Sequence, residues 1–145
     1  MTYQRLLQEH DRIDAQLVRL TNIVEHPDED AVGATLILCD LAEALRVHLA
    51  HEDSLMYRPI VAAKRRDFAG AADQFCREFA VLRDDWNSYL VEWTTGMIQS
   101  DWAGFRESTL SIIDQLSARV RAENDLLYIA ALQAGIIPLR EPVAA

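Results

Sequence analysis

The sequence predicts an all-α fold, an up-down-up-down four-helix bundle built as a single domain over residues 1–145, and three observations point to it. Apolar residues recur at alternating spacings of three and four along four separate stretches, the period of a helix face turned toward a core. Proline and glycine number only 4 and 5, too few to interrupt those stretches often. The stretches are long, covering about residues 3–25, 31–57, 67–95 and 101–132, and short connections between them favour antiparallel neighbours.

The first helix turns Leu6, His10, Ile13, Leu17, Leu20 and Val24 inward, and the run His26-Pro27-Asp28-Glu29-Asp30 stops it and supplies an acidic cap to the next. The second carries Ala34, Leu38, Leu41, Leu45, His48, Glu52 and Leu55 on its inward face, with Pro59 ending or kinking it. His51 falls off this stripe, toward a neighbouring helix or solvent. Asp67 is the expected cap of the third helix, whose inward places are Phe68, Ala71, Phe75, Glu78, Leu82, Trp86, Tyr89 and Trp93. Thr94-Thr95-Gly96 reads as its end, with Gly96 free to take the left-handed conformation. After Ser100 or Asp101 as cap, the fourth helix carries Phe105, Thr109, Ile112, Leu116, Arg119, Glu123, Leu126 and Ala130 inward, and the stretch from Gly135 to Pro138 ends it.

Charge narrows the function classes. Lys and Arg total 14 against 23 Asp and Glu, a net charge of −9, so a phosphate backbone is repelled unless a local basic patch exists. The densest basic run, Lys64-Arg65-Arg66, is a decorated connection, and no nucleic-acid partner is expected. No apolar run is long enough for a membrane span or a signal segment. Cys39 and Cys76 are far apart in sequence and read as reduced thiols at the core or its boundary, as in a cytoplasmic protein. Trp86, Tyr89, Trp93 and Trp102 gather near one connection, as packing aromatics or as an aromatic patch for a homodimer or protein partner through Trp86, Trp93 and Trp102.

The polar residues on the inward stripes set the functional question. Counted along each helix, His10, His48, Glu78 and Arg119 lie about 14 to 17 residues from the turns at one end of the bundle, so all four helices bring a polar core residue to one level. Glu52 and Glu123 are one helical turn beyond His48 and Arg119 and share their faces. Imidazole and carboxylate together form the ligand set for iron, zinc or manganese, and bundle cores are a recurrent place for such sites. No Glu-x-x-His pair occurs anywhere, which sets aside a ferritin-like di-iron centre. No nucleophile and base pair and no glycine-rich phosphate loop are present, so no catalytic residue is assigned and the chain is not expected to be an enzyme. A histidine phosphotransfer role would fall to His51, whose neighbours Glu52 and Asp53 would repel a phosphoryl group.

Glu9-His10-Asp11 on helix one, His48-x-x-x-Glu52 with Leu55-Met56-Tyr57 on helix two, and Glu123-Asn124-Asp125-Leu126-Leu127-Tyr128 on helix four together resemble the hemerythrin-like (HHE cation-binding) domain. The likeness of 48–57 to 119–128 resembles the two-helix internal duplication of that fold, Arg119-x-x-x-Glu123 answering His48-x-x-x-Glu52. The resemblance implies a metal held by His10, His48, Glu52 and Glu123. It also implies a second iron held by histidines of helices three and four, but helix three here has none and Arg119 stands at the helix-four position. A guanidinium offers no lone pair, so a full di-iron centre is not expected. Arg119 paired with Glu78, and with Glu52 or Glu123, would form a core polar network in place of the second metal. Two readings remain open: a module that binds at most one iron, zinc or manganese and serves in metal, oxygen or redox sensing or handling, and a metal-free binding or signalling bundle organised by Arg119.

Overall fold

The computed structural model describes residues 2–59 and 66–141, without the side chains of residues 66–69, 71 and 72. It is an all-α bundle, with no strand among the described residues. Helix α1 spans Tyr3–Glu25 and α2 Ala31–Glu52, and α2 runs without a break into a π-helical turn, Asp53–Tyr57. Helix α3 spans Arg66–Glu92, and the short α4 spans Thr95–Ser100. Helix α5, Trp102–Ala122, continues through a second π-helical turn, Glu123–Leu127, into α6, Tyr128–Gln133. Helix α1 packs against both α2 and α5, and α3 packs chiefly on α5.

Side-chain oxygens start these helices where the sequence places them. Asp30 Oδ1 accepts from the Gly33 N–H at 2.8 Å and Asp101 Oδ1 from the Gly104 N–H at 3.0 Å, each satisfying a first-turn donor that has no partner within its helix. Thr2 Oγ1 does the same for Arg5. The C-terminal segment returns to α1, where Pro138 and Leu139 carbonyls accept from Tyr3 and Gln4 at 2.9 and 3.2 Å. The expected left-handed stop at Gly96 is corrected: Thr94 Oγ1 accepts from the Met97 N–H, so this stretch opens α4 and places Gly96 inside it. The left-handed glycine among the described residues is Gly135, at φ 71°, just past α6. The places expected for Asp67, Phe68 and Ala71 and the run at 64–66 lie outside the described side chains.

The core falls into two apolar clusters. The larger includes Ile13, Leu17, Leu41, Trp86, Phe105 and Leu116; the smaller gathers Leu6, Met56, Leu127, Tyr128, Ala131 and Ile137. His10 comes between Leu6 and Ile13 on α1, so the polar layer lies where the two clusters meet. Trp86 and Trp93 are core residues, stacked on Tyr89 and set edge-on to Phe105 with ring centres 5.6 Å apart in each case. Of the three tryptophans expected to pack or to offer an interface, Trp86 and Trp93 are enclosed by their own chain, and Trp102 packs partly buried beside Phe105. Cys39 is exposed rather than at the core boundary, and Cys76 is half-buried.

All six residues expected inward on α1 are buried, and so are those on α2 as far as Glu52. From each π-helical turn onward the inward stripe steps on by one residue. Tyr128 N–H bonds to the Glu123 carbonyl and Arg58 N–H to that of Asp53, the i to i−5 pattern that fits one extra residue into a turn. Met56 is thus fully buried where Leu55 was expected, Leu127 takes the place of Leu126, and Ala131 that of Ala130. Leu126 is left 62% exposed.

Candidate metal centre

His10 from α1, His48 and Glu52 from α2, and Glu123 at the end of α5 meet in the buried layer, their ligand atoms all within 4.8 Å of one another. His10 Nε2 lies 2.9 Å from His48 Nε2 and 2.9 Å from Glu123 Oε1. His48 Nε2 lies 2.9 Å from Glu52 Oε1 and 3.4 Å from Glu123 Oε1. Atoms bound around one metal at about 2.1 Å stand ~3.0–3.4 Å from each other, so these four contacts are near the spacing of a coordination shell, and the whole set would need only to draw in from its 4.8 Å span. A cavity of about 20 Å³ lies beside the layer, walled mostly by apolar side chains such as Ile13, Leu45, Phe79 and Leu116, with His10, His48, Arg119 and Glu123 at its edge.

The outer nitrogens of both imidazoles are occupied. His48 Nδ1 donates to Glu9 Oε1 at 2.9 Å and His10 Nδ1 to Asn124 Oδ1 at 2.6 Å. Each bond fixes the ring and turns an Nε2 toward the centre, the arrangement that prepares a histidine to bind a metal. Glu9 and Asn124 were not picked out from the sequence as site residues. The available signal was adjacency, since each sits beside a ligand in Glu9-His10 and Glu123-Asn124. His51 is off the centre, as expected, but joins it indirectly by donating to Glu9 Oε2. Burial works against the Glu9 carboxylate, yet bonds from His48 and His51 outweigh it and hold its pKa below the usual range. Replacing Glu9 with alanine should weaken metal binding by about 10- to 100-fold with the four ligands intact, measured by competition with a chelator.

Arg119 lies where the sequence puts it and meets Glu123, one of its expected partners, but not Glu78. Its Nε donates to Glu123 Oε2 at 2.6 Å, its Nη1 to the Phe75 carbonyl at 2.8 Å and its Nη2 to the Tyr57 hydroxyl at 3.1 Å. The Phe75 and Phe79 rings lie 4.9 and 5.1 Å from the guanidinium carbon, close enough for cation–π attraction. The expected Arg119–Glu78 pair is corrected: Glu78 is exposed and accepts from Gln74 Nε2 at 3.0 Å. Between Phe75 and Leu82 an inward place can fall at 78 or 79 with equal regularity. Burying an aromatic ring is favourable where burying a carboxylate is costly, so Phe79 turns in and Glu78 turns out.

The charge balance of the layer leaves room for a cation. Burial opposes a charge on His48, but bonds with Glu123, Glu52 and Glu9 outweigh it and push its pKa up to about 11. Burial together with the charge on Glu123 pushes Glu52 up to about 7. Burial also opposes the Glu123 carboxylate, yet His10, His48 and Arg119 hold its pKa well below the usual range. Glu52 Oε2 is buried without a hydrogen-bond partner among the described residues, an uncommon and costly condition for a carboxylate oxygen. On the same side, Glu52, Tyr57, Cys76, Phe79 and Arg83 help line a cavity of about 230 Å³.

Tyr128 is the site residue whose position sequence reasoning missed. Its hydroxyl donates to Glu52 Oε1 at 2.5 Å and lies 3.0 and 3.1 Å from His10 Nε2 and His48 Nε2. Burial, with Glu52 and Glu123 nearby, keeps the proton on this phenol.

A helical bundle that buries two histidines and two carboxylates with their donor atoms within 4.8 Å of one another defines the class: an all-α domain with a candidate cation-binding core. The family comparison is specific. The model of the hemerythrin HHE cation-binding domain matches residues 1–131, and the chain belongs to that family. No curated protein and no solved structure gives a significant match.

Proposed function

We propose that this chain binds one iron-class metal through His10, His48, Glu52 and Glu123 and acts without catalysis, in the cytoplasm, in sensing or handling of metal, oxygen or redox state. The observation that carries this reading is the convergence of four buried donors near coordination-shell spacing, with both Nδ1 atoms already tied back. A metal there would supply a positive charge to two buried carboxylates and an exchangeable position for a small ligand or electron. The residues do the rest: Glu9 and Asn124 orient the imidazoles, while the two apolar clusters keep bulk water away. Free thiols at Cys39 and Cys76 support a reducing compartment. No helix among the described residues is long and apolar enough to cross a membrane.

One metal rather than two is favoured by Arg119. Its guanidinium pairs with Glu123 Oε2, the oxygen turned away from the histidines, and so brings a fixed positive charge to that side. The same contacts support the second reading, a metal-free bundle whose polar core is organised by Arg119. Elemental analysis of protein purified without chelator and reconstituted with iron separates the two. About one metal per chain supports the first reading, and none after reconstitution supports the second.

Metal uptake also has a pH signature. Because the pKa of His48 is raised to about 11, the metal-free site holds a proton on that ring at neutral pH, and a metal must displace it. Affinity should therefore rise about tenfold per pH unit for each proton released, and fall as the pH is lowered. Calorimetric titration with zinc(II) in two buffers of different ionisation enthalpy counts the protons. Binding with no proton release would contradict the protonated His48.

A further inference from the structure

Tyr128 Oη is within reach of every one of the four candidate ligand atoms. It stands 2.5 Å from Glu52 Oε1, 3.0 Å from His10 Nε2, 3.1 Å from His48 Nε2 and 3.4 Å from Glu123 Oε1. A phenol has one proton and donates one hydrogen bond, here to Glu52, and its oxygen can accept from His48 Nε2, which leaves the contacts with His10 and Glu123 beyond that pairing. The bond of His10 Nδ1 with Asn124 turns His10 Nε2 toward the same point. Five nitrogen and oxygen atoms thus make more close contacts with one another than the phenol and imidazole protons can bridge. A single cation among them would satisfy all five at once.

The position of this tyrosine is built rather than incidental. The π-helical turn at Glu123–Leu127 rotates the chain by one residue and swings Tyr128 from the flank of the stripe into the core, where it is fully buried. Its ring stacks on His10 with centres 5.1 Å apart and planes at 21°, which fixes the direction of the C–O bond. Tyr57, five residues after Glu52 as Tyr128 is five after Glu123, holds the equivalent place on α2 and has a different task. Its hydroxyl accepts from Arg119 at 3.1 Å. One tyrosine of the pair thus meets the guanidinium and the other meets the four donors. Packing alone would have been met by phenylalanine.

We propose that Tyr128 is a fifth protein ligand, binding the metal through its phenolate oxygen beside His10, His48, Glu52 and Glu123. The inference rests on the metal-binding reading above and adds to it the chemical class of the metal, one that takes hard anionic oxygen as well as imidazole, as ferric iron does. Loading breaks the phenol O–H bond, forms the oxygen–metal bond and releases the proton to solvent. No electron moves in that step.

The test is iron loading of the full chain as iron(II), followed by oxidation in air, with iron content, visible absorption and resonance Raman spectra recorded. A phenolate-to-iron(III) charge-transfer band with enhanced phenolate ring modes is expected in the unaltered protein and in Tyr57→Phe. Loss of that band in Tyr128→Phe, with iron retained, identifies the ligand. Should Tyr128→Phe fold poorly, the ring modes of the unaltered protein and of Tyr57→Phe still decide whether a phenolate is bound. Iron bound without phenolate modes, or a band that survives Tyr128→Phe, overturns the ligand role and leaves the metal reading standing. Failure of the unaltered protein to bind iron overturns both.

Discussion

Leucine in place of Arg119 should lower the stability of the metal-free protein by about 3–5 kcal/mol, because it abandons a buried carboxylate. The Glu123 side chain is only 3% exposed and that of Arg119 only 9%, so water cannot replace the lost partner. Three hydrogen bonds go at once, to Glu123, the Phe75 carbonyl and the Tyr57 hydroxyl, along with contact to two aromatic faces. Leucine restores some apolar volume but no donor. Urea denaturation of both proteins after chelation measures the difference. Adding Glu123→Gln to Arg119→Leu should recover part of the loss, since a neutral amide costs less to bury than an unpaired charge. A single-variant effect below about 1 kcal/mol would mean that Arg119 does not organise the layer.

Alanine at His48 should reduce bound metal from about one per chain to almost none at micromolar concentration, a loss of more than about 100-fold in affinity. His48 Nε2 is close to His10 Nε2, Glu52 Oε1 and Glu123 Oε1, so its removal opens the centre of the ligand set. It also frees Glu9, which loses one of its two imidazole donors. His51→Ala is the matched control. It removes an imidazole from the same helix and the same carboxylate, yet from outside the ligand set, and should keep the metal. Elemental analysis of the two variants side by side reads the result; equal metal content would remove His48 from the site.

Much of this centre was legible in the chain. A histidine or glutamate at an inward place of an apolar stripe is conspicuous, because burying it unpaired is costly, and each stripe is a local pattern. His10, His48, Glu52 and Glu123 were found in this way, and all four are buried together. Glu78 shows the limit of the method. Spacings of three and four allow two neighbouring residues to claim one place, and only packing on Arg119 gave it to Phe79. Tyr128 shows another limit: an i to i−5 turn leaves no mark in a three-and-four pattern, so every residue beyond it is assigned one place too early.

By itself the chain determined the helical class, the long helices and the depth at which each presents its polar residues, because helix formation and amphipathic burial depend on neighbours within a few positions. It also determined that the third helix carries no histidine and that an arginine, Arg119, stands one turn before Glu123, since these are matters of sequence. Tertiary structure alone decided who meets whom: Arg119 with Glu123 and Tyr57, Glu9 and Asn124 behind the two histidines, and Tyr128 among the four donors. Those pairings depend on how far one helix is rotated about its axis relative to another. A single added residue in a turn changes that rotation without altering the local pattern on either side.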